Sequence, residues 1–106
     1  MIEVTYYRKY HRVTVTGHAK SAPMGQDLVC AAASALAFTL SENCKALEKG
    51  GQARSFKADL TPGKAVVECV PISRFQSVVT VIFDAVCLGF DKLGKVFPDH
   101  IKYEIR

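Results

Sequence analysis

Between Gly17 and Ser34 the chain changes its period, and that change limits what it can fold into. Before it, apolar and polar residues alternate: Ile2, Val4 and Tyr6 against Glu3, Thr5 and Tyr7, then Val13 and Val15 against Arg12, Thr14 and Thr16. A period of two belongs to a strand with one buried face. Residues 2–7 and 12–17 therefore read as a hairpin, with Arg8-Lys9-Tyr10-His11 as its turn. After it comes an alanine-rich run carrying Leu36, Phe38, Leu40 and Leu47, which reads as a helix over residues 28–48. Asp27 has the chemistry of its N-cap, accepting from the first free N–H groups, and Gly50-Gly51 supplies the stop. The residues between strand and helix, Ala19, Lys20, Ser21, Ala22, Pro23, Met24, Gly25 and Gln26, have the composition of a loop that buries little apolar area.

The rest of the chain repeats the pattern. Residues 54–60 and 64–70 flank Thr61-Pro62-Gly63, a turn with proline and glycine in suitable places. From Ser73 to Leu93 the residues Phe75, Val78, Val79, Ile82, Val86, Phe90 and Leu93 recur at threes and fours, marking a second helix and its core stripe. Val81, Phe83 and Leu88 fall off that stripe, so this helix is either sandwiched in the domain or shared with a second copy in a homodimer. Past Pro98, Ile101, Tyr103 and Ile105 alternate with Lys102, Glu104 and Arg106 in a last strand. The order is ββαββαβ, an α+β fold with two helices packed on a mainly antiparallel or mixed sheet. At 106 residues, positions 1–106 form one domain.

Composition excludes several classes. With 49% apolar and 23% charged residues and no segment of spanning length, the chain reads as globular, with no membrane partner. Its N-terminus starts directly in strand alternation rather than in a basic patch and apolar run, so the expected location is cytoplasmic. Cys30, Cys44, Cys69 and Cys87 are then expected as free thiols. None forms a Cys-x-x-Cys pair, no metal site is expected, and no cofactor is expected. The net charge of +4, with Arg8, Lys9, Arg12, Lys92, Lys95 and Lys102, is compatible with a non-enzymatic RNA- or ribosome-binding module, although aromatic-rich RNA-binding signatures are missing.

The chemistry concentrates at the change of period. Asp27, Cys30 and Ser34 are spaced i, i+3 and i+7 and share one helix face. Cys30 is expected in the helix's first turn, where free N–H groups and the dipole favour a thiolate, and His18 at the strand end can take a proton. Together they have the parts of an activated thiol nucleophile. Each residue has a plainer reading. Cys30 can be a small buried hydrophobe, as Cys44, Cys69 and Cys87 are read, and His18 a loop residue bonded to a carbonyl. Asp27 can be a cap or a carboxylate orienting the imidazole, and Ser34 can bond back to the main chain. His11 and His100 read as surface residues of turns.

Gly17-His18-Ala19 followed by Gly25-x-Asp27-x-x-Cys30-Ala31-Ala32-x-Ser34 resembles the signature of the bacterial ribosomal-processing cysteine protease family, and the similarity extends over nearly the whole chain. Ala33 stands where a branched apolar residue is common in that family. The resemblance implies a homodimeric endopeptidase that removes the N-terminal extension of large-subunit ribosomal protein twenty-seven after an apolar, phenylalanine-bearing motif. It puts the nucleophile on Cys30 and the base on His18, with Gly17, Asp27 and Ser34 as supporting positions. Residues Ala19 to Gln26 become a substrate loop joining the two catalytic groups.

Overall fold

The computed structural model describes residues 1–17 and 24–106, with the backbone alone at 24–27. The elements are β1 (Ile2–Tyr7), β2 (Arg12–Thr16), α1 (Met24–Lys49), β3 (Ala53–Thr61), β4 (Lys64–Pro71), α2 (Gln76–Val96) and β5 (Ile101–Ile105), with single 3-10 turns at Arg8–Tyr10 and Ser73–Phe75. This is the ββαββαβ order read from the periodicity. The five strands make one sheet in the order β3-β4-β2-β1-β5. Its neighbours are antiparallel except for β1 and β5, which run parallel, so the sheet is mixed.

Alternation decides which face is covered. Ile2, Val4 and Tyr6 of β1 and Val13 of β2 are buried under the helices, while Glu3 between them is exposed. Val29, Ala33, Ala37, Leu40, Cys44 and Leu47 are the buried apolar residues of α1 among those described, recurring at threes and fours. From α2 come Val79, Phe83, Cys87 and Phe90. Full burial of side chains such as Leu40, Phe83 and Phe90 contributes about 1.5–3 kcal/mol each. Tyr6 stacks on Phe83 at 6.0 Å between ring centroids, which joins sheet to helix at the centre of the core.

Turn chemistry sets the connections. Pro62 and Gly63, the latter at φ +83°, form the tight β3–β4 turn. Helix α1 ends in a Schellman motif in which Gln52 N–H donates to the Leu47 carbonyl at 2.8 Å and Gly51 N–H to Glu48 at 3.1 Å. Gly51 takes the left-handed conformation, φ +75°, that this closure requires.

Three expectations are corrected. Phe83 lies in the core at 0% exposure, whereas Val78, placed on the core stripe by its spacing, is 45% exposed. The stripe of α2 is rotated by about one position because Cys87 and Phe83, four apart, face the sheet. His11 is buried at 5% exposure, not a surface residue. Its Nε2 lies 2.7 Å from Thr80 Oγ1 and its ring meets Phe83 edge-on. The chain can turn inward there because His11 adopts φ +50°. The third correction is the start of α1, at Met24 and not at residue 28. A single glycine costs about 1 kcal/mol in a helix, too little to stop a helix anchored by Val29 and Ala33 from extending one turn upstream. Among the described residues, no helix is long and apolar enough to cross a membrane.

Candidate active site

The start of α1, the end of β2 and the β3–β4 turn converge on one groove of about 370 Å³. Cys30, Ser34 and Phe38, at successive steps of four, form its helical wall, and Ala33 and Ala37 lie between them. Ile2, Val15 and Gly17 line it from the sheet. The opposite wall is the hairpin tip from Leu60 to Ala65. Ser34 and Phe38 are exposed, so this wall is open to a ligand.

Accessibility separates the four cysteines. Cys30 is half-buried and lines the groove, whereas Cys44, Cys69 and Cys87 are exposed by 0%, 1% and 2%. The Cys44 and Cys69 sulfurs touch at 3.6 Å inside the core, and that contact together with burial pushes the Cys44 thiol up. Burial pushes the Cys87 thiol up to about 12. All three are buried packing groups of the core; Cys44 and Cys87 stay protonated at neutral pH, while the contact with Cys44 lowers the Cys69 thiol.

Gly17 is fixed by three separate constraints. Its φ is +93°, a Cβ built on it would lie 2.2 Å from the Met1 carbonyl oxygen, and its N–H donates to the Gly63 carbonyl at 3.0 Å. The residue before His18 is thereby pinned between the start of β1 and the hairpin turn, on the groove that holds Cys30.

Of the residues singled out from the sequence, Gly17, Cys30 and Ser34 therefore meet on one groove. His18, Ala19, Lys20, Ser21, Ala22 and Pro23 lie outside the described residues, as do the side chains of Met24, Gly25, Gln26 and Asp27. The longer α1 changes two assignments. Met24, Gly25 and Gln26 belong to the helix and not to a loop, and Asp27 is its fourth residue rather than its N-cap. Cys30 is then the seventh helical residue, so its N–H falls within the i to i−4 ladder and it stands past the first turn, where the dipole is strongest. The N–H groups with no i−4 partner inside α1 belong to residues 24–27.

The hairpin wall, Leu60 to Ala65, was not singled out from the sequence. It reaches the groove because β2 pairs with β4 from Arg12↔Glu68 to Thr16↔Lys64, a non-local register that brings Gly63 beside Gly17. Among the described residues, no group of three or more His, Cys, Asp or Glu is placed to hold a metal ion. Of the basic residues that favoured an RNA-binding module, Arg8, Arg12 and Lys95 are engaged by Asp84, Glu68 and Asp91.

Comparison with known proteins adds to this geometry. The family model described as cysteine protease Prp matches residues 1–102. The crystal structure of SMU.848 from Streptococcus mutans is 28% identical, with a TM-score of 0.73 over 99% of this chain and 96% of that one. The essential ribosomal processing protease Prp from S. aureus, solved with a substrate peptide, is 18% identical, with a TM-score of 0.69 over 99% of this chain and 97% of that one. The same protease with a covalently linked product peptide gives 18% and 0.68 over the same shares, 99% and 97%. At that identity the likeness to the S. aureus enzyme is one of fold. No curated protein matches the chain.

Proposed function

Because the chain belongs to the cysteine protease Prp family, and is thus a cysteine peptidase, we propose that it removes the N-terminal extension of large-subunit ribosomal protein twenty-seven, with Cys30 as nucleophile and His18 as general base. The observation that carries this reading is the place of Cys30, the accessible sulfur among four cysteines, at one end of an open groove. From Cys30 to Phe38 the helical wall is about 12 Å long, enough for three to four residues of an extended peptide.

In this mechanism His18 takes the Cys30 proton and Sγ attacks the scissile carbonyl carbon. The oxyanion is held by main-chain N–H groups, those at residues 24–27, which have no i−4 partner inside α1, being the donors on offer. His18 then protonates the leaving amine, and water hydrolyses the thioester. Ala19 to Pro23 join the base to the nucleophile's helix, so peptide contacts with them bear on how the two groups meet. Ser34 sits one turn beyond Cys30 on the same wall, within the reach of bound peptide. The protein acts in the cytoplasm as a homodimer, a reading supported by Val81 and Leu88, which α2 leaves 64% and 68% exposed.

The test uses purified precursor and the same protein lacking its extension. Wild type shortens only the precursor, and His18→Ala lowers kcat at least about a hundredfold with the melting temperature retained. Undiminished turnover by His18→Ala, or no cleavage by wild type, overturns the assignment.

A further inference from the structure

Helix α2 is apolar on two opposite sides, and only one of them is used inside the chain. Val79, Phe83, Cys87 and Phe90 face the core. On the far side stand Val78, Val81, Ala85 and Leu88, all exposed. Among the described residues, Leu88 at 68% and Val81 at 64% are the two most exposed large apolar side chains. An apolar second side calls for burial within the domain or against another chain, and no described element covers this one.

The spacing is that of a helix-pairing seam. Val78, Val81, Ala85 and Leu88 follow steps of three, four and three, and Lys92 and Lys95 continue the same alternation. Such a heptad stripe, narrower than the face a helix turns to a sheet, is what a second helix fills. We infer that α2 packs antiparallel on α2 of a second copy, about a two-fold axis between Val81 and Ala85. This rests on the homodimer reading above and names its surface.

Charge decides the direction. A parallel pair in register would set Lys92 on the partner's Lys92 and Lys95 on the partner's Lys95 inside the seam. The antiparallel pair instead closes the apolar patch on itself: Val78 meets the partner's Leu88, and Val81 meets the partner's Ala85, each contact occurring twice. Ala85 is small enough for the axes to approach to about 8–10 Å. Lys92 and Lys95 then fall beyond the partner helix's first residue, Gln76. Arg74, nearest to the partner's Lys92, is turned onto the Phe75 ring at 5.1 Å. Asp84 flanks the seam beside the axis, but the Arg8 guanidinium holds it with two bonds of 3.1 and 3.0 Å, so the carboxylates that face each other across the axis are each neutralised.

Sedimentation equilibrium on the full chain tests this. Val81→Glu and Ala85→Lys should each raise the dimer Kd by about tenfold or more, because each puts an unpaired charge into an apolar seam. Their equimolar mixture should dimerise about tenfold more tightly than either variant alone, since only antiparallel packing sets the new carboxylate against the new ammonium. Val70→Glu, a change at an apolar residue 37% exposed on the sheet face away from the helices, should leave Kd unchanged. Melting temperatures of the variants, made at exposed positions, check that each is folded. Seam variants that dimerise like wild type, or a mixture no tighter than its components, overturn the antiparallel α2 seam while leaving the homodimer standing. A wild type that is monomeric throughout overturns both.

Discussion

The Gly17 N–H donates to the Gly63 carbonyl at 3.0 Å, tying the chain that leads into His18 to the turn forming the far wall of the groove. Strand end, hairpin tip and the Cys30 wall of α1 thereby form one unit. The proposed base, His18, follows a position that tolerates no side chain.

Gly17→Ala should therefore be severely harmful. The new Cβ meets main-chain oxygen at 2.2 Å and the residue is held at φ +93°, so stability should fall by about 2 kcal/mol or more, with kcat/KM falling further. Gly51→Ala is the matched control, at φ +75° with nothing within 4 Å, and should cost only about 1 kcal/mol with kcat/KM unchanged. Thermal melts and precursor cleavage on both variants check this.

Alkylation should be selective. Iodoacetamide applied to the folded protein should modify Cys30 first, and Cys44, Cys69 and Cys87 only on unfolding, because exposures of 0–2% exclude the reagent. Peptide mass mapping over time reads it, and equal labelling of all four sites would contradict the burial pattern.

His11 should give stability a pH dependence. Burial, and secondarily the charge of Arg8, lower its pKa in the folded chain from 6.5. The unfolded chain thus binds the proton first as pH falls. The stabilisation is complete above pH 6.5 and is lost as pH drops through the folded-state value. Melting temperatures of wild type should decline between pH 7.5 and 5, and those of His11→Asn, which tolerates the left-handed backbone, should decline less over that window.

Phe38 is 53% exposed on the groove wall two turns from Cys30, a position for contact with peptide rather than with the reacting bond. Phe38→Ser should raise KM for the precursor by about tenfold through lost apolar contact, with kcat nearly unchanged. A kcat defect at constant KM would place Phe38 in another role.

Local periodicity carried most of the fold. Alternation at Ile2 to Tyr6 and Ile101 to Ile105, the three-and-four spacing of α2, and the Pro62-Gly63 turn were enough for ββαββαβ and the Cys30 face. The start of α1 was misplaced by one turn because Asp27 has the chemistry of a cap, while tertiary anchoring at Val29 lets the helix extend past it. The hairpin wall and the burial of His11 depend on the β2–β4 register and on Thr80 and Phe83, contacts across long sequence separations that no local pattern encodes.

The most direct test weighs the precursor by intact mass after incubation with wild-type protein and with Cys30→Ala. Expected is complete conversion to mature chain plus extension peptide with wild type, and unchanged precursor with the equally folded variant. Conversion by Cys30→Ala at the wild-type rate would contradict the assignment of the nucleophile.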